Sequence, residues 1–240
     1  MLTHAADQGI TDVVNTVHYQ HPKVETEDIS YNRIQGEVQQ LQKELDKNNI
    51  QIKLHCAAEV FFLPNLIKIK DDPLSTFNHG KYMLIEFQVH QLPDSQKQQL
   101  FDLKMAGVTP IIAHPERYKP IQDDINIVAE WLAAGCIIQV DAGSPLGYLG
   151  PGSQTASEKI IKNGWCQIIG SDSHDNKRRN FCLLEAVELI QSWVEYDVDA
   201  MVLKNPKAVI DGSPISVDFE YEQVQNSNLF SRIKDKIGLS

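Results

Sequence analysis

Six short apolar runs, rich in β-branched residues, recur along the chain with longer amphipathic stretches between them. The runs are Thr11–Thr16, Ile52–Ala58, Tyr82–Phe87, Thr109–Ala113, Cys136–Val140 and Cys166–Gly170. A strand that is apolar on both faces must be covered on both, and strand–helix alternation does this with a parallel sheet under a layer of helices. The intervening stretches carry helix signals. In Glu27–Asn48, Ile34, Val38, Leu41 and Leu45 follow a 3.6-residue period. Ser95–Ala106, Asp123–Ala134 and Ser153–Asn163 each stop at a glycine (Gly107, Gly135, Gly164), as helices do when they turn tightly into a strand. Phe181–Val194 keeps Leu184, Val187 and Ile190 on one face. The pattern predicts an α/β fold with one principal domain over 1–212. An extension, 213–240, follows, in which LFSRIKDKIG can form a short terminal helix.

Charge and composition narrow the function. With 22 basic against 32 acidic residues, the net charge is −10. That argues against nucleic acid or an anionic membrane surface as the main partner, since both are gripped by clustered Lys and Arg. No run of 18 apolar residues exists and MLTHAADQGI lacks a signal-peptide pattern, so the expectation is a cytoplasmic protein without membrane insertion. Cys56, Cys136, Cys166 and Cys182 form no C-x-x-C pair and read as buried reduced thiols. None is followed six residues on by Arg, so the C-x5-R loop of cysteine phosphatases is absent.

The strand-like runs end in chemistry-bearing residues. TDVVNTVH ends at His18, KLHCAAE at Glu59, YMLIE at Glu86, TPIIAH at His114, and CQIIGSDSH at Asp172 and His174. The carboxyl ends of parallel barrel strands converge on one face. Imidazoles and carboxylates gathered there form a nitrogen–oxygen ligand set for divalent metal, of the Mn, Fe or Zn type and with room for more than one ion. One carboxylate alone could be a helix cap; five ends agreeing point to a site. Arg117 lies three residues after His114, and Arg178 and Arg179 lie four and five after His174. A guanidinium beside a metal cluster suits a phosphate oxyanion. His21 reads as a solvated loop residue. The glycines of DAGSPLGYLGPGS match neither Walker nor dinucleotide spacing and read as a flexible rim loop.

The segments TVHYQHP, CAAEVFF, YMLIEF, TPIIAHPERY and IIGSDSHDNKRRNF resemble the PHP superfamily. More closely, they are similar to the manganese-dependent bacterial protein-tyrosine phosphatases encoded with capsule or exopolysaccharide genes. The resemblance runs from Met1 to about Asp211. It implies a distorted (β/α)7 PHP-type barrel holding a di- or trinuclear cluster, Mn2+ first, with Fe, Co, Zn or Mg as other candidates. Matched motif by motif, it implies His18, Glu59, Glu86, His114, Asp172 and His174 as metal ligands. Arg117 and Arg179 would hold the phosphate, Arg179 rather than Arg178 by its spacing from the Asp-x-His pair. Asp141 stays outside the ligand set, because relatives carry a small polar residue there. The implied substrate is the phosphotyrosine-bearing C-terminal tail of a bacterial tyrosine kinase controlling polysaccharide synthesis.

The chain departs from that pattern in one place. Family members open with an Asp-x-His-x-His segment on the first strand, and no H-x-H occurs here. The expectation is a barrel missing its first strand, either a misassigned start or a short form, with an open edge between Thr11–Thr16 and Cys166–Gly170 and weak or no activity. Two rival functions follow: a small-molecule phosphatase of the histidinol-phosphatase type, and an inactive barrel that only binds the kinase tail. The sequence sets neither the native metal nor the oligomeric state.

Overall fold

The computed structural model describes residues 1–22, 24 and 29–217. Its strands are β1 (Asp12–Tyr19), β2 (Lys53–Phe61), β3 (Tyr82–Glu86), β4 (Thr109–Ala113), β5 (Ile137–Asp141) and β6 (Ile168–Gly170). They form one sheet in chain order, and every neighbouring pair is parallel. Parallel neighbours require a crossover. Helix α1 (Leu2–Asp7) precedes the sheet, and α2 (Tyr31–Lys47) links β1 to β2. α3 (Gln96–Met105) links β3 to β4, α4 (Lys119–Asp123) and α5 (Asn126–Ala133) link β4 to β5, and α6 (Pro151–Lys162) links β5 to β6. α7 (Leu183–Gln191), a π-helical turn at Ala200–Lys204 and α8 (Asn205–Asp211) follow β6. Among the described residues, no helix is long and apolar enough to cross a membrane.

All six sequence runs contain strands; β4 matches its run at both ends and the other five have shifted ends. β1 and β2 pair over eight residues, Asp12↔Lys53 to Tyr19↔Val60, and the ladder carries past the apolar runs. His18 and Glu59 are therefore register partners inside the sheet rather than loop residues. The helix expected over Asp123–Ala134 is broken at Asp124, which is extended (φ −139°, ψ 97°). Its carboxylate accepts the Asn126 N–H at 3.0 Å, an Asx turn that restarts the helix. The start expected for α2, and the terminal helix expected after Tyr221, lie outside the described residues.

Strand side chains alternate between two faces. Val60, Met83, Ile85, Ile112, Ile138, Val140 and Ile169 pack outward beneath the helices. Tyr82, Leu84, Ile111, Ala113, Ile137 and Ile168 form a second cluster on the inner face. Counting along each strand puts Glu86 and Asp141 on that inner face, in phase with Leu84 and Ile137. His18 and Glu59 follow suit, out of phase with the outward Val17 and Val60. The outer layer is anchored by aromatic packing: Phe87 lies 4.8 Å from Phe62 and 5.6 Å from Trp131 between ring centroids. The Trp131 indole donates to Gln96 Oε1 at 2.7 Å.

The opposite side is open. Among the described residues β1 pairs only with β2, and β6 only with β5. A cavity of about 1270 Å3 runs between these two edges, lined by Val13, Thr16, His18, Ile168 and Asp172 among others. The sheet is a curled half-barrel.

Candidate metal centre

The inner-face donors meet at the carboxyl ends of the strands. His18 Nε2 lies 3.5 Å from Glu59 Oε2, and His114 Nε2 lies 3.2 Å from Glu59 Oε1. His114 Nε2 is also 3.7 Å from Glu86 Oε1. Donor atoms of His18, Glu59 and Glu86 all fall within 4.8 Å of one another. His174 is more distant: its ring is 6.1 Å from that of His18, and its Nδ1 is 3.6 Å from Asp172 Oδ1. Asp172 turns instead toward the arginines. The structure thus brings His18, Glu59, Glu86 and His114 together and leaves Asp172 and His174 as a neighbouring pair on the open side.

The H-P-E-R-Y segment shows how one short sequence builds a rigid wall. His114 takes a left-handed backbone (φ 33°, ψ 55°), rare outside glycine, which turns its ring into the mouth. Tyr118 clamps the two strand ends that carry Glu86 and His114. Its hydroxyl donates to Ala113 O at 2.6 Å and accepts the Phe87 N–H at 3.0 Å. Glu116 is fully buried, and its Oε1 accepts the Asp141 N–H at 3.0 Å and the Ser144 hydroxyl at 2.7 Å. That strut corrects the flexible-loop expectation for the glycine-rich stretch, since residues 141–145 are buried. Arg117 does not pair with Glu116; it donates to Asp172 Oδ2 at 2.7 Å.

Arg179 donates to the same Asp172 oxygen, while Arg178 is exposed. Asp141 lies beneath both guanidiniums, its Oδ2 3.8 Å from Arg117 Nη1 and 4.0 Å from Arg179 Nη2. Asp172, like His114, is left-handed (φ 41°).

Burial and charge shift these groups in opposite directions. Burial pushes the Glu86 carboxyl up, and the Glu59 charge adds to it. Burial works against the His114 imidazolium, but the hydrogen bond it donates to Glu59 and the Glu59 charge overcome it and lift His114 to about 9. Burial, with Glu116 and Asp172 nearby, raises Asp141 to about 7. None of the four cysteines is poised as a nucleophile. Burial raises every one, Cys136 to about 12 and Cys182 to about 11. Cys136 and Cys166 are buried as expected, whereas Cys56 and Cys182 are only half-buried.

The donor set fits a divalent cation. The separations of 3.5 and 3.7 Å are long for hydrogen bonds. They lie near the ~3–3.5 Å that separates two ligands each about 2.1 Å from one ion. Glu86 Oε2 is buried without a hydrogen-bond partner, as a carboxylate awaiting a cation would be. Sequence reasoning undervalued four residues here. Glu116 and Tyr118 were in plain view within H-P-E-R-Y, Asp141 shares the inner-face parity of Ile137, and His21 packs on His18 with ring centroids 5.0 Å apart.

Known proteins resemble the whole chain in sequence and in fold. CapC of Staphylococcus aureus is 27% identical over 231 residues, covering 96% of this chain and 89% of its own. The tyrosine-protein phosphatase YwqE of Bacillus subtilis is 26% identical over 216 residues, covering 90% and 84%. A crystal structure from work on YwqE and the Streptococcus pneumoniae CpsB, described as metal-dependent tyrosine phosphatases, matches with a TM-score of 0.83 and 25% identity. That match spans 90% of this chain and 87% of the other. Residues 1–211 match the family model for capsular polysaccharide synthesis, CpsB/CapC. The chain belongs to the CpsB/CapC family.

Proposed function

We propose that the chain is a metal-dependent phosphatase that removes phosphate from phosphotyrosine. Its substrate in this reading is the C-terminal tail of a bacterial tyrosine kinase controlling capsule or exopolysaccharide synthesis. The observation that carries the proposal is the meeting of His18, Glu59, Glu86 and His114 beside two arginines that converge on one carboxylate oxygen. Oxygen and imidazole donors without sulfur suit Mn2+, in a di- or trinuclear cluster with Asp172 and His174 as further ligands. A cation held there supplies positive charge to the phosphate oxygens and lowers the pKa of a water for attack on phosphorus.

The protein's own groups do the rest. Arg117 and Arg179 already aim at a single oxygen of Asp172, and a phosphate dianion offers such oxygens in its place. Their charge meets the charge that grows on the equatorial oxygens. Glu116 and Tyr118 keep Arg117 and His114 in place during turnover. The open mouth, with the His174 side chain 42% exposed, admits a tyrosine carried on a peptide and favours that substrate over a small free phosphoester. A seventh strand, standing between β1 and β6, would complete the (β/α)7 barrel in this reading.

The test is phosphate release from a phosphotyrosyl peptide by the Mn2+-loaded protein, with and without chelator. The proposal expects release that chelator abolishes and that Arg117→Met reduces by ~100-fold or more. Release unaffected by chelator would contradict it.

A further inference from the structure

Five side chains at the mouth close into a ring. His18 faces Glu59, Glu59 faces His114 and His114 faces Glu86, at 3.5, 3.2 and 3.7 Å. Glu86 Oε2 then faces His21 Nε2 at 3.9 Å, and the His21 ring stacks on His18 at an interplanar angle of 27°. Imidazole and carboxylate alternate from His18 to His21, and the His21–His18 ring stack closes the circuit. His21 is the one member that the motif-by-motif comparison leaves without a role.

Strand alternation alone would point His21 away. His18 is inward, Tyr19 outward and Gln20 inward, so an extended chain would send His21 out again. Gln20 takes a left-handed backbone (φ 58°) and turns the chain back over the strand end. The His21 ring then rests edge-on against Phe61 at 4.9 Å, and Phe61 is the register partner of Glu86. The His21 side chain is 13% exposed. A residue expected in solvent is held with a ring nitrogen toward a carboxylate oxygen that is buried and has no hydrogen-bond partner.

We propose that His21 Nε2 is a ligand to a divalent transition-metal cation, sharing the carboxylate of Glu86 with His114. The assignment rests on the metal-centre reading above. The 3.9 Å gap is too long for a hydrogen bond and leaves room for an ion between the two atoms. Glu86 would then hold the cation together with both imidazoles, its Oε1 facing His114 and its Oε2 facing His21.

The test is titration of chelated protein with Co2+, read by calorimetry and by the visible d–d bands, which report donor identity and not stability. Losing outer-shell partners alone weakens metal sites by ~10–100-fold, so losing a direct donor sets a floor of about 10-fold. His21→Gln is expected to weaken at least one Co2+ equivalent by that factor and to change the band shape. His21→Asn serves where the Gln variant misfolds. Exposed His90→Gln is expected to bind like the unmodified protein. If His114→Ala abolishes binding while both His21 variants keep the original isotherm and bands, the assignment of His21 falls and the metal centre stands. If His114→Ala and Glu59→Ala also leave binding unchanged, the metal centre falls with it.

Discussion

The two sides of the half-barrel hold their functional groups by different means. On the β3–β4–β5 wall, strands are covered on both faces, and Met83, Ile85, Ile112, Ile138 and Val140 are wholly buried. Glu59 and His114 stand on or beside that wall, 7% and 2% exposed at the side chain. On the β1–β6 side the sheet has two free edges among the described residues, β6 is three residues long, and His18 and His174 are 38% and 42% exposed. Packing fixes the wall donors. At the rim, His18 stands near the end of the β1–β2 ladder, while His21 and His174 follow local turns at Gln20 and Asp172. A substitution in the wall should therefore damage fold and site together, while one at the rim should damage the site alone.

The largest expected effects lie in the wall. Trp131→Ala removes a buried indole stacked on Phe87 and should cost ~3–5 kcal/mol in urea unfolding. Leu203 is 61% exposed, on the π-turn of the open side, and Leu203→Ala should stay within ~0.5 kcal/mol. Equal costs at the two positions would erase the contrast. For activity, His114→Ala should reduce phosphotyrosine hydrolysis by ~100-fold or more, and His174→Ala by about 10-fold with unfolding unchanged. A larger loss at His174 would move the centre of the site toward the rim.

A subtler effect is pH dependence of the chelated protein. His114 is raised to about 9 from 6.5, so the folded state holds its proton more tightly than the unfolded state does. The stability it contributes is complete below 6.5 and is lost as pH rises through about 9. Asp141, raised to about 7 from 3.8, acts in the same direction at lower pH. Carboxylates held below their usual range, Asp12 and Asp197, titrate beneath that window. The midpoint of urea unfolding should fall from pH 6.5 to 9 in chelated protein, and less so with Mn2+, which takes the place of the His114 proton. A chelated midpoint that is flat or rising over that range would contradict the assigned charge state.

How much of this was legible in the sequence also follows the two sides. The wall was readable because apolar runs and glycine stops are local signals, and H-P-E-R-Y sits where a strand ends. Glu59 and Glu86 were readable because they end strand-like runs, and the carboxyl ends of parallel strands converge. Side-chain reach was not. That Glu116 props Ser144, or that Tyr118 ties β3 to β4, depends on contacts across 28 and 31 residues of chain. His21, expected as a solvated loop residue, is only 13% exposed because the left-handed Gln20 turns it back, and that backbone conformation leaves no mark in residue type. The break at Asp124 was hidden inside an otherwise continuous helical pattern.

Crystals soaked in Mn2+ and measured at the manganese absorption edge would test the central claim most directly. An anomalous peak enclosed by Glu59, Glu86 and His114 is the predicted result. Diffraction of good quality with no peak there, or with manganese only at remote surface carboxylates, would contradict it.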